Sequence, residues 1–447
     1  MENTNILILG GGPAGLVAAG TARAYYPGKT ITLVRDVQRA IVPCGIPYIF
    51  NRLGSVDKNL IPDAGLEAKK VQLRLDEATQ LDPEAHTVTF ASGQGITYEK
   101  LVLAVGSAPV QLPIPGSDQK GVFYVKKDPA YLRELFMAVH SAQRIVIIGG
   151  GFIGVEFAEE IAQLPGKQVS IVEMLPCCLA QAFDAELCAL GEAELKALGV
   201  QLYTGRKVMK ITGNGQASGV RLDDNSELPA DLVIFSIGAR PNVALAKDAG
   251  LTIGYSGGIW VDEYLRTTAP DIFAVGDCAE KKDFFTRKVV PVMLASTASA
   301  EARIAGANLY SLRMIRDNRG TLATFSTRLG KTTLASAGLT ERRAREEGFD
   351  IVVGQAKTVN RHPGSLPDAQ TNQVKLIFSA DSLVLLGGQI AGAQEAGELI
   401  NLIALALQNR MTAMQLETLQ VATHPLLTPA PTVYPLVTAT MQAIAQS

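Results

Sequence analysis

Residues 39–50, RAIVPCGIPYIF, set Cys44 between two prolines, with a glycine behind it and Tyr48 four positions on. Cysteine does covalent chemistry as the thiolate, which is favoured where free backbone amides or a cation face it. Proline suits a first helical turn, where no amide donor is needed. Pro47 therefore predicts a short helix with Cys44 at its N-terminal end, where amides and dipole would lower the thiol pKa. Such a thiolate could attack a disulfide or persulfide sulfur. The other four cysteines read as structural. Cys177 and Cys178 fall in MLPCCLAQAFD, a predicted surface turn; Cys188 falls on a helix, and Cys278 packs beside Asp277. Five cysteines without a CxxC pair, and only four histidines, argue against a disulfide scaffold and give no metal-ligand spacing.

Two glycine clusters carry a second chemistry. Gly10, Gly12 and Gly15, with Pro13 and Ala14 between them, follow an apolar run in GxGxxG spacing. Gly149, Gly151 and Gly154, with Phe152 and Ile153, repeat the pattern. In such a turn the first glycine makes the bend, the second admits a pyrophosphate, and the third lets helix and strand pack. Two copies, each after an apolar strand and opening a helix, predict two dinucleotide sites. The second unit's strand ends at Glu173, a carboxylate suited to ribose hydroxyls and repulsive to a 2′-phosphate, which favours NADH over NADPH. In the first unit Arg35 stands where the acid is expected and Asp36 follows it, so either could lie at the adenosine ribose.

The elements that must position these residues follow a repeated grammar. ILIL, a glycine turn, an alanine-rich helix to about Tyr25 and TITLV recur as RIVIIGGGFIGVEFAEEIAQLPGKQVSIVE from Arg144. This predicts an α/β protein with two Rossmann-like, parallel-sheet domains. YEKLVLAVGSAPVQLPIPG links them, ADLVIFSIGARPN closes the second, and IFAVGDCAE precedes a small-residue helix from about Pro291 to Tyr310. From about Thr324 the glycine fingerprints stop. Strands at 350–359, 373–379 and SLVLLGGQI, with helices Thr340 to Glu347 and Ala396 to Gln408, predict an α+β domain. The expected division is 1–115 and 251–323 for the first dinucleotide domain, 116–250 for the second and 324–447 for the third. In 447 residues, 47% hydrophobic and 19% charged with a net charge of −2, nothing favours nucleic acid or an anionic membrane surface. No apolar run approaches the roughly 20 residues that span a bilayer, and the N-terminus lacks a basic n-region, so a cytoplasmic protein is expected.

These motifs, in this order, resemble the pyridine nucleotide–disulfide oxidoreductase flavoproteins over nearly the whole chain. GGGPAG matches the terminal FAD fingerprint, GGGFIG the internal NAD fingerprint, LAVGSAP and IFAVGDCAE the later FAD segments. The resemblance implies FAD in the discontinuous first domain, NAD(P)H in the inserted second, and a third domain that completes each active site across a homodimer. It implies FAD contacts at Ala104, Gly106, Gly276, Asp277 and Ala295, and a cofactor contact at Gly238. It sets Glu156 near the flavin–nicotinamide contact and Phe152 at the gate where many members carry tyrosine.

Cys44, Gly45, Pro47 and Tyr48 match the Cys-Gly-x-Pro-Tyr of the single-cysteine branch, which holds coenzyme A disulfide reductases, NADH oxidases, NADH peroxidases and persulfide reductases. Arg39 stands where dithiol members have a second cysteine. The first turn, GGGPAG, lacks the histidine that NADH peroxidases and oxidases of this branch carry there. Ala40, Ile41 and Pro43 replace the Ser-Phe-x-Asn of coenzyme A disulfide reductases, whose partner tyrosines are also missing from VNRHPGS and ATHPLLTP, although Arg23 matches an arginine that meets coenzyme A phosphates. His424 and Pro425 match the start of the dithiol reductases' acid–base motif, with Pro429 at its glutamate; His362 is a second candidate. The expectation is an FAD-dependent NADH oxidoreductase in which Cys44 reduces a small disulfide, persulfide or polysulfide, a coenzyme A derivative among the candidates. An NADH oxidase working through a cysteine sulfenate and an electron-transfer flavoprotein are the alternatives.

Overall fold

A computed structural model of the chain describes residues 2–315 and 318–447. The near-continuous apolar runs become parallel strands buried on both faces, because only flanking layers can hide side chains that alternate to either side. In the first sheet Gln72–Leu75, Ile31–Arg35, Glu2–Leu9 and Gly95–Leu103 lie parallel, and Ile272–Ala274 adds to Gly95–Leu103. Thr87–Phe90 and Ala78–Asp82 extend it as an antiparallel arm. Helices Pro13–Tyr25 and Ala295–Ala307 pack together through alanines, Ala18, Ala22, Ala302 and Ala305 all being fully buried. Residues beyond 270 thus rebuild the unit begun at the N-terminus.

A second parallel sheet runs Gln201–Thr204, Gln168–Glu173, Arg144–Ile148, Leu232–Phe235, Val122–Tyr124. The segments by which the chain leaves the first unit and returns to it, Ser107–Pro109 and Ala239–Pro241, pair with each other as a two-stranded antiparallel link. The third part is a five-stranded antiparallel sheet ordered Phe325–Leu329, Thr332–Gly338, Leu385–Gly392, Thr371–Ser379, Ile351–Val359. Helices Ala396–Gln408 and Pro435–Ile444 cover it.

Lys375 pins this sheet to the second unit. Its ammonium, buried at 3% exposure, lies 2.9 Å from Asp184, 2.6 Å from Glu186 and 2.7 Å from Glu341. Asp184 precedes helix Ala185–Ala197, and its carboxylate accepts from Gln389 and from the Glu341 and Arg342 amides.

Two expectations about local structure need correction. The helix expected from about Pro291 begins at Ala295 and ends at Ala307, residues 291–294 lying outside it with Leu294 extended. Around Cys44 there is no α-helix but two single 3₁₀ turns, Pro43–Gly45 and Pro47–Ile49, each opened by its proline.

Candidate active site

The two glycine turns are near-copies. Gly10 has φ +118° and Gly149 φ +105°, and a methyl group on either would come within 2.1 Å of the Ala104 carbonyl oxygen or 2.3 Å of the Ser236 carbonyl oxygen. A methyl on Gly15 or on Gly154 would lie 1.9 Å from the carbonyl oxygen of its own turn's first glycine. Only glycine fits at these places. Gly12 and Gly151, by contrast, are the N-caps of helices Pro13–Tyr25 and Phe152–Ala162 and face open space, where the free amides of each helix start can meet phosphate oxygens. Pro13, Ala14, Phe152 and Ile153 form the first turns of those helices.

The acids and bases beside the turns are placed differently. The Glu173 carboxylate accepts from the Gly150 amide at 2.6 Å and from Leu175 at 2.7 Å, so it is held at the turn with lone pairs to spare. Arg35 is buried under the first turn, its side chain against Gly11, and forms a two-point pair with Asp63 at 2.7 and 2.9 Å. The guanidinium holds the Asp63 carboxyl below its ordinary range. The Arg35 Nε has no protein partner although buried, and Asp36 is exposed.

Between the two units lies the thiol. Cys44 opens to the surface in this chain. The expected lowering of its pKa is not met: partial burial, then the carboxylates of Glu156 and Asp277, push the thiol up, and Lys127 alone among side chains pulls it down. A single 3₁₀ turn supplies too short a dipole to reverse this. Asp277 is fixed by the Ser107 hydroxyl and the Lys127 ammonium, each donating at 2.8 Å, and its carboxyl stays low despite burial. Beneath it the buried pair Lys281 and Glu301 (2.9 Å) grips the backbone of Gly276, the lysine through its carbonyl and the glutamate through its amide. Gly106 and Gly238 flank the two-stranded link, with φ of +68° and +95°.

Glu156, on helix Phe152–Ala162, accepts from the Thr327 hydroxyl at 2.8 Å. Burial and then the neighbouring Glu159 and Glu160 push its carboxyl up to about 7. Those two are fully buried and share one cation: Arg52 lies 2.9 Å from Glu159 and pairs with Glu160, which also accepts the Arg52 amide at 3.0 Å. Arg52 follows the Cys44 segment, and the Gly330 amide donates to Glu159 at 3.1 Å, so this cluster joins the cysteine loop, the second unit and the third. Phe152 stacks on Phe325 of the third part at 4.8 Å.

The remaining candidates lie elsewhere in the chain. His424 is exposed, its amide donating to Thr428 and its Nδ1 accepting from the Leu426 amide at 3.3 Å. His362 contacts the Thr428 carbonyl at 2.9 Å, so both histidine–proline segments form one lobe at the end of the antiparallel sheet. Arg23 donates to the carbonyls of Lys69, Pro27, Lys29 and Lys70, using four of its five N–H groups for local structure and leaving little for phosphates.

Two glycine cradles, an orphaned buried Arg35 nitrogen beside the first and a thiol set where the units meet suit two dinucleotides and a redox sulfur. Residues 4–302 match the model of the pyridine nucleotide-disulphide oxidoreductase family, and residues 326–433 match its dimerisation domain. The chain belongs to the pyridine nucleotide-disulphide oxidoreductase family. It is an NAD(P)H oxidoreductase of the FAD-using kind. It is 32% identical over 395 residues to the NAD(P)H coenzyme A polysulfide/persulfide reductase of Pyrococcus horikoshii, covering 87% of each chain. Among solved structures it resembles the NAD-dependent persulfide reductase of A. fulgidus (TM-score 0.92, 30% identity, 99% of this chain and 83% of that one). It also resembles the water-forming NADH oxidase of Lactobacillus brevis bound to NADH (TM-score 0.89, 25% identity, 99% and 98%).

Within this oxidoreductase, sequence reasoning missed Lys127, Arg52, Thr327 and Phe325. Lys127 stands in VKKDP, where the Asp-Pro pair signals a helix start and neither lysine is marked out. Its partners Ser107 and Asp277 are 20 and 150 positions away. Among the described residues no helix is long and apolar enough to cross a membrane.

Proposed function

We propose that this protein is an FAD-dependent NADH oxidoreductase whose Cys44 delivers electrons to a small disulfide, persulfide or polysulfide. The observation that carries the reading is the surface opening of Cys44 between Glu156 and Lys127 of the second unit and Asp277 of the first. FAD, when bound, supplies the two-electron relay between nicotinamide and sulfur. The chain's own groups do the rest. Gly10, Gly12, Gly15, Ala104, Gly106, Gly276, Asp277, Ala295 and the free Arg35 nitrogen line the FAD site. Gly149, Gly151, Gly154 and Glu173 hold NADH, with Phe152 as its gate.

Lys127 balances Asp277 and offsets the two carboxylates that disfavour the thiolate. Glu156, with a carboxyl that titrates near neutrality, can hold a proton beside the sulfur and release it. For a disulfide the sum is NADH + RSSR + H⁺ → NAD⁺ + 2 RSH; for a persulfide the products are RSH and H₂S. The exposed apolar residues Leu426 and Leu427 beside His424 suit a homodimer in which His424 faces the partner's thiol. The domain division is 1–115 with 251–323, 116–250, and 324–447, and a cytoplasmic setting fits a redox thiol kept reduced. Coenzyme A as carrier of the sulfur has little support from Arg23.

Anaerobic NADH titration of the parent and Cys44→Ser tests this reading. The parent should take up one more two-electron equivalent than the variant, or show a thiolate-to-flavin charge-transfer band that the variant lacks. Identical titrations without that band would defeat the sulfur reading and favour a plain electron-transfer flavoprotein. Stoichiometric oxygen consumption lost in Cys44→Ser would favour the oxidase, for which the kinship to NADH oxidases speaks.

A further inference from the structure

The two glycine turns differ in the side chain that stands behind each. The Gly10 amide donates to the Val34 carbonyl and the Gly149 amide to the Val172 carbonyl, both at 2.8 Å, so Arg35 and Glu173 hold equivalent places at the ends of their strands. Each lies against the middle glycine of its turn. A methyl on Gly150 would meet the Glu173 Cβ and Cγ at 3.1 and 3.2 Å, and one on Gly11 would meet the Arg35 Cβ and Cδ at 3.0 and 2.8 Å. That place is the one from which a carboxylate faces an adenosine ribose. In the first turn it holds a cation instead, 4% exposed, whose Nε has no partner among the described residues. Nε is bonded to the Cδ that touches the turn, so the unused donor lies at the cradle. The rest of the guanidinium is spent on the neighbourhood of Cys44. Asp63 accepts from Nη1 and Nη2 at 2.7 and 2.9 Å, and the Gln38 carbonyl also accepts from Nη2. Gln38 leads into the Cys44 segment, and Asp63 ends the stretch that lies beside it. There the Val42 amide donates to the Asn59 carbonyl at 3.0 Å and the Ile61 amide to the Ala40 carbonyl at 2.8 Å. The buried Asn59 side chain donates to the Val42 carbonyl at 3.0 Å and leaves no room for a methyl on Gly45.

We propose that Arg35 donates through Nε to an adenosine ribose oxygen of FAD, in place of the usual carboxylate, and so ties that end of the cofactor to the Cys44 segment. Asp63 is its positioning residue: the two-point grip fixes the plane of the guanidinium and with it the direction of the Nε–H bond. A buried donor without a partner destabilises the empty fold, and a ribose oxygen that pairs it steadies every segment the guanidinium holds. The adenosine half of the cofactor therefore orders the thiol's surroundings from the end remote from the flavin ring. The inference rests on FAD occupying the first cradle and not on the chemistry of Cys44.

The test titrates the full chain, stripped of flavin and shown to reload, with FAD, ADP and 2′,3′-dideoxy-ADP, comparing the parent with Arg35→Lys and Asp63→Asn. Lysine keeps the charge and puts a methylene where Nε stood. The parent should prefer ADP to its dideoxy analogue by about tenfold or more, the scale of a charge-assisted hydrogen bond, and bind FAD more tightly than Arg35→Lys by a similar factor. The ribose preference should collapse in Arg35→Lys and shrink in Asp63→Asn. ADP carries no flavin to cover the thiol, yet it should slow amide hydrogen exchange at residues 38–45 and 57–63 of the parent and not of Arg35→Lys. Equal FAD affinity in parent and Arg35→Lys, or a ribose preference that survives the substitution, would overturn the contact. Exchange at 38–45 unmoved by ADP would overturn the tie to Cys44. If the stripped chain does not reload, FAD release from the loaded proteins on dilution reads the same contact, faster from Arg35→Lys as expected or equal and contrary to it. A parent that carries no flavin as purified and takes none up would defeat instead the reading of the first cradle as an FAD site.

Discussion

Glu156→Gln should make the protein's stability less dependent on pH, in a direction set by burial. The Glu156 carboxyl is pushed from an ordinary 4.5 up to about 7, so the folded chain holds a proton there that the unfolded chain has lost. Between those values the folded state binds more protons, and stability therefore falls as pH rises through about 4.5 to 7 and is flat above about 8. At 1.36 kcal/mol per pKa unit the ionised carboxylate costs the folded state about 3 kcal/mol at alkaline pH. Glutamine keeps the shape and can still accept from the Thr327 hydroxyl, but it cannot ionise. The variant should thus match the parent near pH 4 and exceed it by up to about 3 kcal/mol at pH 8. The assay is thermal unfolding of both FAD-loaded proteins across that range, comparing the difference in Tm so that other titrating groups cancel. A difference of several degrees should open as pH rises. Parallel curves, or a gap that closes toward alkaline pH, would refute the assignment of the buried proton to Glu156.

Two further outcomes follow from packing. Gly10→Ala should yield protein without flavin absorbance, because its methyl would meet the Ala104 carbonyl at 2.1 Å, while Gly149→Ala should keep its flavin and lose measurable nucleotide binding; loss of both cofactors in either variant would contradict two independent cradles. Lys375→Met removes the buried cation shared by Asp184, Glu186 and Glu341 and should destabilise by about 3–5 kcal/mol, seen as a lowered Tm and early proteolysis between the second unit and the antiparallel sheet.

Much of this was legible from local pattern. Strands buried on both faces read as unbroken apolar runs, and the glycine turns announce themselves because no other residue can sit at Gly10 or Gly154. The edge strands Gln72–Leu75 and Ala78–Asp82 were missed because they are short and largely exposed, so their few apolar positions mark no buried face. The electrostatics at Cys44 was misjudged for a different reason. A dipole can be inferred from a neighbouring proline, but the charges of Glu156 and Asp277 reach the sulfur only through the fold. The same holds for Arg52, whose acids are 107 and 108 positions away, and for Arg23, whose donors are spent on carbonyls that carry no side-chain signature.

The buried lysine between the second unit and the antiparallel sheet also bears on how the chain comes together. Lys375 and Glu341 belong to one side, Asp184 and Glu186 to the other. Apart, these charged groups are well hydrated, so a nascent second unit presents water with carboxylates beside the apolar patch that Phe325, Leu329 and Leu334 later cover. Joined, the same groups lose their water and hold only in the one seating that pairs them. The contact thus keeps the halves soluble before docking and rejects misdocked arrangements afterwards.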